Sequence, residues 1–378
     1  MQNYWFMSGA VIDNNIYFIT EEYGDLIKID VETYKAQYIY MEDELTMPLS
    51  AVIFADNEYI YAILAKGKYL LKYSVFSGSK ERFYLGLESK WLNITASVLK
   101  IEKELIIVPI LSNSIVHVNT ITGEVTETVI NADEYQKGER FFAKCSERYG
   151  KNIWLFSNGT KEIIQYNIYT KERLCHAYPK GITKVMDVEN WHDSFYILDA
   201  LGNVFVWKPD SFMEVILRSK LQENEVSTFH VANDRIWLMP AFGKEIICYD
   251  TKSKKCKIQE YYPKGFLYTA SIEMEKYPQK IRTDQRCYFS MHSGNYIFYV
   301  DQKTGEGKWA DVIWPDDRKI AKYLMRKNIV PEKRMLIDLY CTCIENRRKL
   351  VGIKKTNGEN IWEDCICNMK TDKKVFAK

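Results

Sequence analysis

An eight-residue pattern that returns seven times limits this chain to very few folds. An apolar strand runs into a turn former, and Thr or Ser follows three residues later. The pattern reads Leu26-Ile-Lys-Ile-Asp30-Val-Glu-Thr33, and it recurs with its turn former at Ser74, Asn119, Asn167, Lys208, Asp250 and Asp301. These anchors lie 41 to 51 residues apart. Asp, Asn and Ser can accept hydrogen bonds from the backbone two or three residues on, which closes a tight turn between strands. About 13 residues upstream of each anchor lies a second apolar run, such as Ile16-Tyr-Phe-Ile19, Leu105-Ile-Ile-Val108 or Ile236-Trp-Leu-Met239. A smaller strand precedes that run, and another follows the anchor turn.

Four short strands in roughly 45 residues make one propeller blade, which buries its faces only against neighbouring blades. Seven units predict a single all-β, seven-bladed β-propeller over residues 1–315. The 27 Tyr and the 14% aromatic content suit pleated, half-buried surfaces. The architecture resembles the broad group of seven-bladed propellers that includes WD-repeat and Kelch-like proteins. The Gly-His and Trp-Asp signatures of the former and the Gly-Gly pair of the latter are missing, so the resemblance implies a fold and no residue roles.

After Trp314-Pro315 the apolar period changes from 2 to 3.6. Met335, Leu336, Leu339, Tyr340 and Cys343 share one helical face, as do Ile361, Trp362, Cys365, Ile366 and Met369. Thr356 and Glu359 have capping-box spacing. This predicts a helical extension over 316–378; the competing reading is an eighth blade with Leu350-Val-Gly-Ile353 as a strand. Cys341/Cys343 and Cys365/Cys367 supply four thiols, the number for a zinc site. Residues two apart point away from each other on a helix, so buried thiols are expected and no metal.

Net charge is +2, with no global field for nucleic acid or an anionic membrane. The stretch 316–378 is the basic part, with 16 Lys or Arg against nine acids. The first residues lack a basic and apolar leader, and nine scattered Cys fit a reduced, cytoplasmic protein. Phosphate-loop, dinucleotide and nucleophile-elbow motifs do not occur, and no cofactor is expected.

Two surfaces carry candidate functional residues. Aligned on an apolar column, the innermost strands place Lys144, Asp187 and His230 on consecutive blades at one level of the central channel. Asp between Lys and His could set the proton affinity of either, so the trio could act as acid, base or ligand contact. A hydrated structural network is the competing reading. The face bearing the loops into the inner strands would hold His292, Trp5, Tyr23, Trp91, Phe141, Phe142 and Tyr268. Aromatics exposed there would suit a protein or sugar surface, whereas buried ones would fill gaps between blades. The leading expectation is a scaffold that binds a protein or peptide partner on this face and is not an enzyme. The alternative is a lyase, a hydrolase or a glycan- or small-molecule-binding propeller using Lys144, Asp187 and His230.

Overall fold

The computed structural model describes residues 4–20, 25–39, 52–64, 69–86, 95–130, 141–143, 147–209, 211, 214–217, 225–242, 245–259, 262–264, 266, 277, 279–291, 293–294 and 296–315. Chain contacts separate Met1–Lys327 from Asn328–Lys378. The expected helices and thiols of 316–378 lie outside the described residues.

The described residues form seven antiparallel sheets, each ordered from an inner to an outer strand, in a seven-bladed β-propeller. Blade 1 is Tyr4–Ile12, Asn15–Thr20, Leu26–Asp30 and Ala36–Ile39. Blades 2 to 4 follow, with outer strands Lys80–Tyr84, Val125–Val129 and Arg173–Ala177. Blades 5, 6 and 7 begin with inner strands Val185–Trp191, Val226–Ala232 and Gln279–Arg282.

Burial follows strand position. Second strands such as Asn152–Ser157 are buried on both faces, because a neighbouring blade packs on each side. Their sequences are accordingly continuous apolar runs. Outer strands such as Lys255–Gln259 are exposed, and in this one the lysines at alternate positions 255 and 257 discourage edge pairing. The core is divided into layers between blades: Ile12, Tyr17 and Leu71 join blades 1 and 2, and Phe156, Ile197 and Trp207 join blades 4 and 5.

The anchors close the turns between third and fourth strands. Asp30 Oδ1 accepts the backbone N–H of Thr33 at 2.7 Å and the Thr33 hydroxyl at 2.8 Å. Asn119, Asn167 and Asp301 accept the matching amides of Thr122, Thr170 and Thr304. Blade 5 departs from the pattern: Lys208 has no acceptor side chain, and its carbonyl takes the Ser211 amide and hydroxyl instead.

Blade 1 takes its four strands from the N-terminal residues and blade 7 its four from Gln279–Ala310, and the two-residue strand Ser293–Gly294 adds to the sheet of blade 1 as a fifth. Several contacts join blades 7 and 1. Ser293–Gly294 pairs with Tyr4 and Trp5. Ile313 bridges Lys35 in parallel, exchanging hydrogen bonds with Tyr34 and Ala36. Proline lacks an N–H, so Pro315 cannot donate the next bond of this parallel pairing. Arg286 of blade 7 donates to the Val31 carbonyl and the Tyr34 hydroxyl while lying 4.9 Å over the Tyr299 ring.

Candidate functional site

The sharpest concentration of titratable groups lies where the inner strands of blades 5, 6 and 7 converge. Counting back from the hairpin turns sets their levels. Trp191 faces Ser194 and Ala232 faces Arg235. Asp187 is therefore level with Thr228, and Glu189 with His230. This corrects the expected column: Asp187 and His230 sit two residues apart in level, because matching Val188 to Val231 slips the register. In blade 7 the inner strand is Gln279–Arg282, and it delivers Lys280.

Lys280 is the hub. Its Nζ donates to Asp187 Oδ2 at 2.9 Å, Glu189 Oε2 at 3.0 Å and the Phe229 carbonyl at 2.9 Å. It thus reaches from blade 7 past blade 6 to blade 5, with its side chain 6% exposed. Asp187 also accepts the Thr228 hydroxyl and the Phe229 N–H, while its Oδ1 accepts the Val188 N–H. His230 Nδ1 lies 2.8 Å from Glu189 Oε1, and its Nε2 lies 3.1 Å from Gln302 Oε1. Arg282 approaches Glu189 at 3.7 Å from the half-exposed side.

Glu189 and His230 are fully buried. Burial alone favours neutral forms, but here each charge finds its opposite. Burial opposes ionisation of Glu189, yet His230, Lys280 and Arg282 hold its carboxyl far below the usual carboxylate range. Burial likewise depresses His230, but Cys287 and Glu189 together push its imidazolium up to about 10. Glu189, His230 and Cys287 are all 0% exposed. The arrangement can neutralise and orient its members and tie three blades together.

The other expected site residues separate. Lys144, His292, Trp91 and Tyr268 lie outside the described residues, as does Tyr23. Trp5 belongs to the inner strand of blade 1 by its backbone pairing with Ser293, and its side chain is likewise not described. Phe141 and Phe142 are buried at 1% and 2% in the core between blades 3 and 4, so these two rings fill a seam and offer no surface. Among the described residues, no group of three or more His, Cys, Asp or Glu could hold a metal.

Large apolar side chains stand exposed elsewhere, in the turns that join third and fourth strands. Two residues past the anchor, blades 2, 3 and 4 carry Phe76, Ile121 and Tyr169, exposed by 70%, 56% and 55%. At the same position blades 1, 6 and 7 carry Glu32, Lys252 and Lys303. Sequence reasoning passed over this row, although the anchor alignment contains it.

No family model and no curated protein matches the sequence. Solved structures do. A streptogramin B lyase matches at 10% identity with a TM-score of 0.56, over 78% of this chain and 93% of that one. A catalytically inactive virginiamycin B lyase from Staphylococcus aureus, solved with quinupristin, matches at 7% identity and 0.57, over 78% and 94%. PorZ, a surface component of the type-IX secretion system of Porphyromonas gingivalis, matches at 10% and 0.54, over 81% of this chain and 38% of that one. At these identities the likeness is one of fold, and it places the chain among β-propellers by architecture.

Proposed function

We propose that this propeller binds a protein or peptide partner and that the turns of blades 2 to 4 form the contact surface. The row Phe76, Ile121 and Tyr169 carries this reading. Turn tips are normally polar, and each of these side chains leaves a large apolar area in water. Their matched positions on consecutive blades put them on one face of a rigid scaffold, the usual place for recognition residues. The closed centre supports a binding role over a catalytic one, because Lys280 bonds both Asp187 and Glu189, and His230 faces Glu189, all away from solvent. A reduced, intracellular setting fits the free thiols of Cys175 and Cys256 on exposed strands. The test is a photo-crosslinking amino acid in place of Ile121 and, separately, of Lys252. The Ile121 position should trap one dominant protein partner and the Lys252 position should not. Equal labelling at both positions argues against the surface.

A further inference from the structure

A cavity of about 480 Å³ opens beside the outer half of blade 1, within the ~300–1,000 Å³ typical of small-ligand sites. Register places its walls. Asn15 faces Asp30, and Lys28 faces Gln37. Directly opposite residues share a face, and residues two apart along a strand do too, so Asn15, Lys28, Asp30, Lys35 and Gln37 all point into one space. Ile313 and Trp314 form the far wall, fixed by the bridge to Lys35 and the hydrogen bonds to Tyr34 and Ala36.

The chemistry of this lining is specific. Among the described residues neither Lys28 nor Lys35 is ion-paired, and Lys28 Nζ instead lies 6.0 Å over the Tyr17 ring. The carboxylate of Asp30 also lines the cavity, but its Oδ1 is engaged by Thr33 and Glu32 of its own turn. Two cations against one anion leave a single positive charge for a ligand. Asn15, Thr33 and Gln37 add neutral donors and acceptors, and Trp314 adds an aromatic wall. An aliphatic ligand would leave those polar groups unpaired. A polyhydroxylated ring that carries one carboxylate satisfies them all, with its C–H face on the aromatic wall and its carboxylate on the lysines.

We propose that this cavity binds a hexuronate unit of an acidic glycan. The site is separate from the turn face of blades 2 to 4, so either can fail without the other. The experiment is calorimetric titration of the full chain with trigalacturonate and, in parallel, with its methyl ester. The acid should bind, and the ester should bind roughly tenfold more weakly, since it cannot form charge-assisted hydrogen bonds with the lysines. Lys28→Gln with Lys35→Gln keeps the side-chain stems and should weaken the acid at least tenfold with an unchanged melting temperature. Trp314→Ala should weaken acid and ester alike. Equal binding of acid and ester, undiminished binding by the double variant, equal competition by inorganic phosphate, or no binding at millimolar trigalacturonate would each overturn the proposal.

Discussion

Replacing Lys280 with Met keeps the buried stem and removes the one charge that three blades share. Asp187 and Glu189 then remain buried, at 1% and 0% exposure, without the ammonium that bonds both. His230 still faces Glu189, while Asp187 keeps the hydroxyl of Thr228 and the amides of Phe229 and Val188, none of which carries a charge. Breaking a buried ion pair by deleting one partner costs about 3–5 kcal/mol. The unit Met1–Lys327 should unfold with an entropy near 0.7 kcal/mol/K, so the melting temperature should fall by about 4–7 °C. Removing the carboxylates as well, in Lys280→Met with Asp187→Asn and Glu189→Gln, leaves no buried carboxylate unpaired and lets His230 rest as the neutral imidazole that burial favours, and should recover most of that loss. The assay is differential scanning calorimetry of the three proteins at pH 7. A single variant within 1 °C of the parent, or a triple variant no better than the single, would refute the hub.

Three further outcomes follow from named contacts. His230 has a folded value of about 10 against an ordinary 6.5, so its stabilising contribution is complete below 6.5 and lost as pH rises towards 10. Glu189 is shifted down, so its contribution is present above its ordinary 4.5 and lost as pH falls below that. Melting temperature against pH should therefore fall on both sides, with the alkaline slope reduced in His230→Gln. Gly305 has φ +67°, and a Cβ there would lie 2.7 Å from the Ala232 carbonyl oxygen; Gly305→Ala should cost about 1–3 kcal/mol by urea titration. Asp301→Ala removes the acceptor of two turn amides and the Thr304 hydroxyl and should cost about 1 kcal/mol, whereas Lys208→Ala should stay within about 0.5 kcal/mol.

The seven-bladed fold was legible because anchor turns and doubly buried second strands both leave local signals. An acceptor side chain followed three residues later by Thr or Ser dictates its own turn, and a strand packed on both faces must be a continuous apolar run. Inner strands carry weaker signals. Gln279-Lys-Ile-Arg282 reads as a charged surface segment, since nothing local says that Lys280 meets two carboxylates from blade 5. Asp187 and His230 were found by their polarity in an apolar setting. Their true partners, Glu189 and Lys280, required the register, which the hairpin turns at His192-Asp193 and Asn233-Asp234 define better than any apolar column. Phe141 carried no sign of its burial, because an aromatic before an inner strand serves a seam or a surface equally well. The turn row Phe76, Ile121 and Tyr169 was readable from the anchors alone, yet it gains meaning only once the exposure of those side chains is known.

The most direct test of the account sets the turn face against the centre in one capture experiment. One protein carries Phe76→Asp, Ile121→Asp and Tyr169→Asp, and the other carries Asp187→Asn. Both are compared with the parent for thermal stability and for retention of the partner crosslinked through position 121. The turn variant should melt within about 2 °C of the parent, as surface changes do, and lose the partner. The Asp187→Asn variant should melt lower and keep it. Loss of the partner from Asp187→Asn at unchanged stability, with the turn variant still binding, would contradict the account and return the site to the centre of the ring.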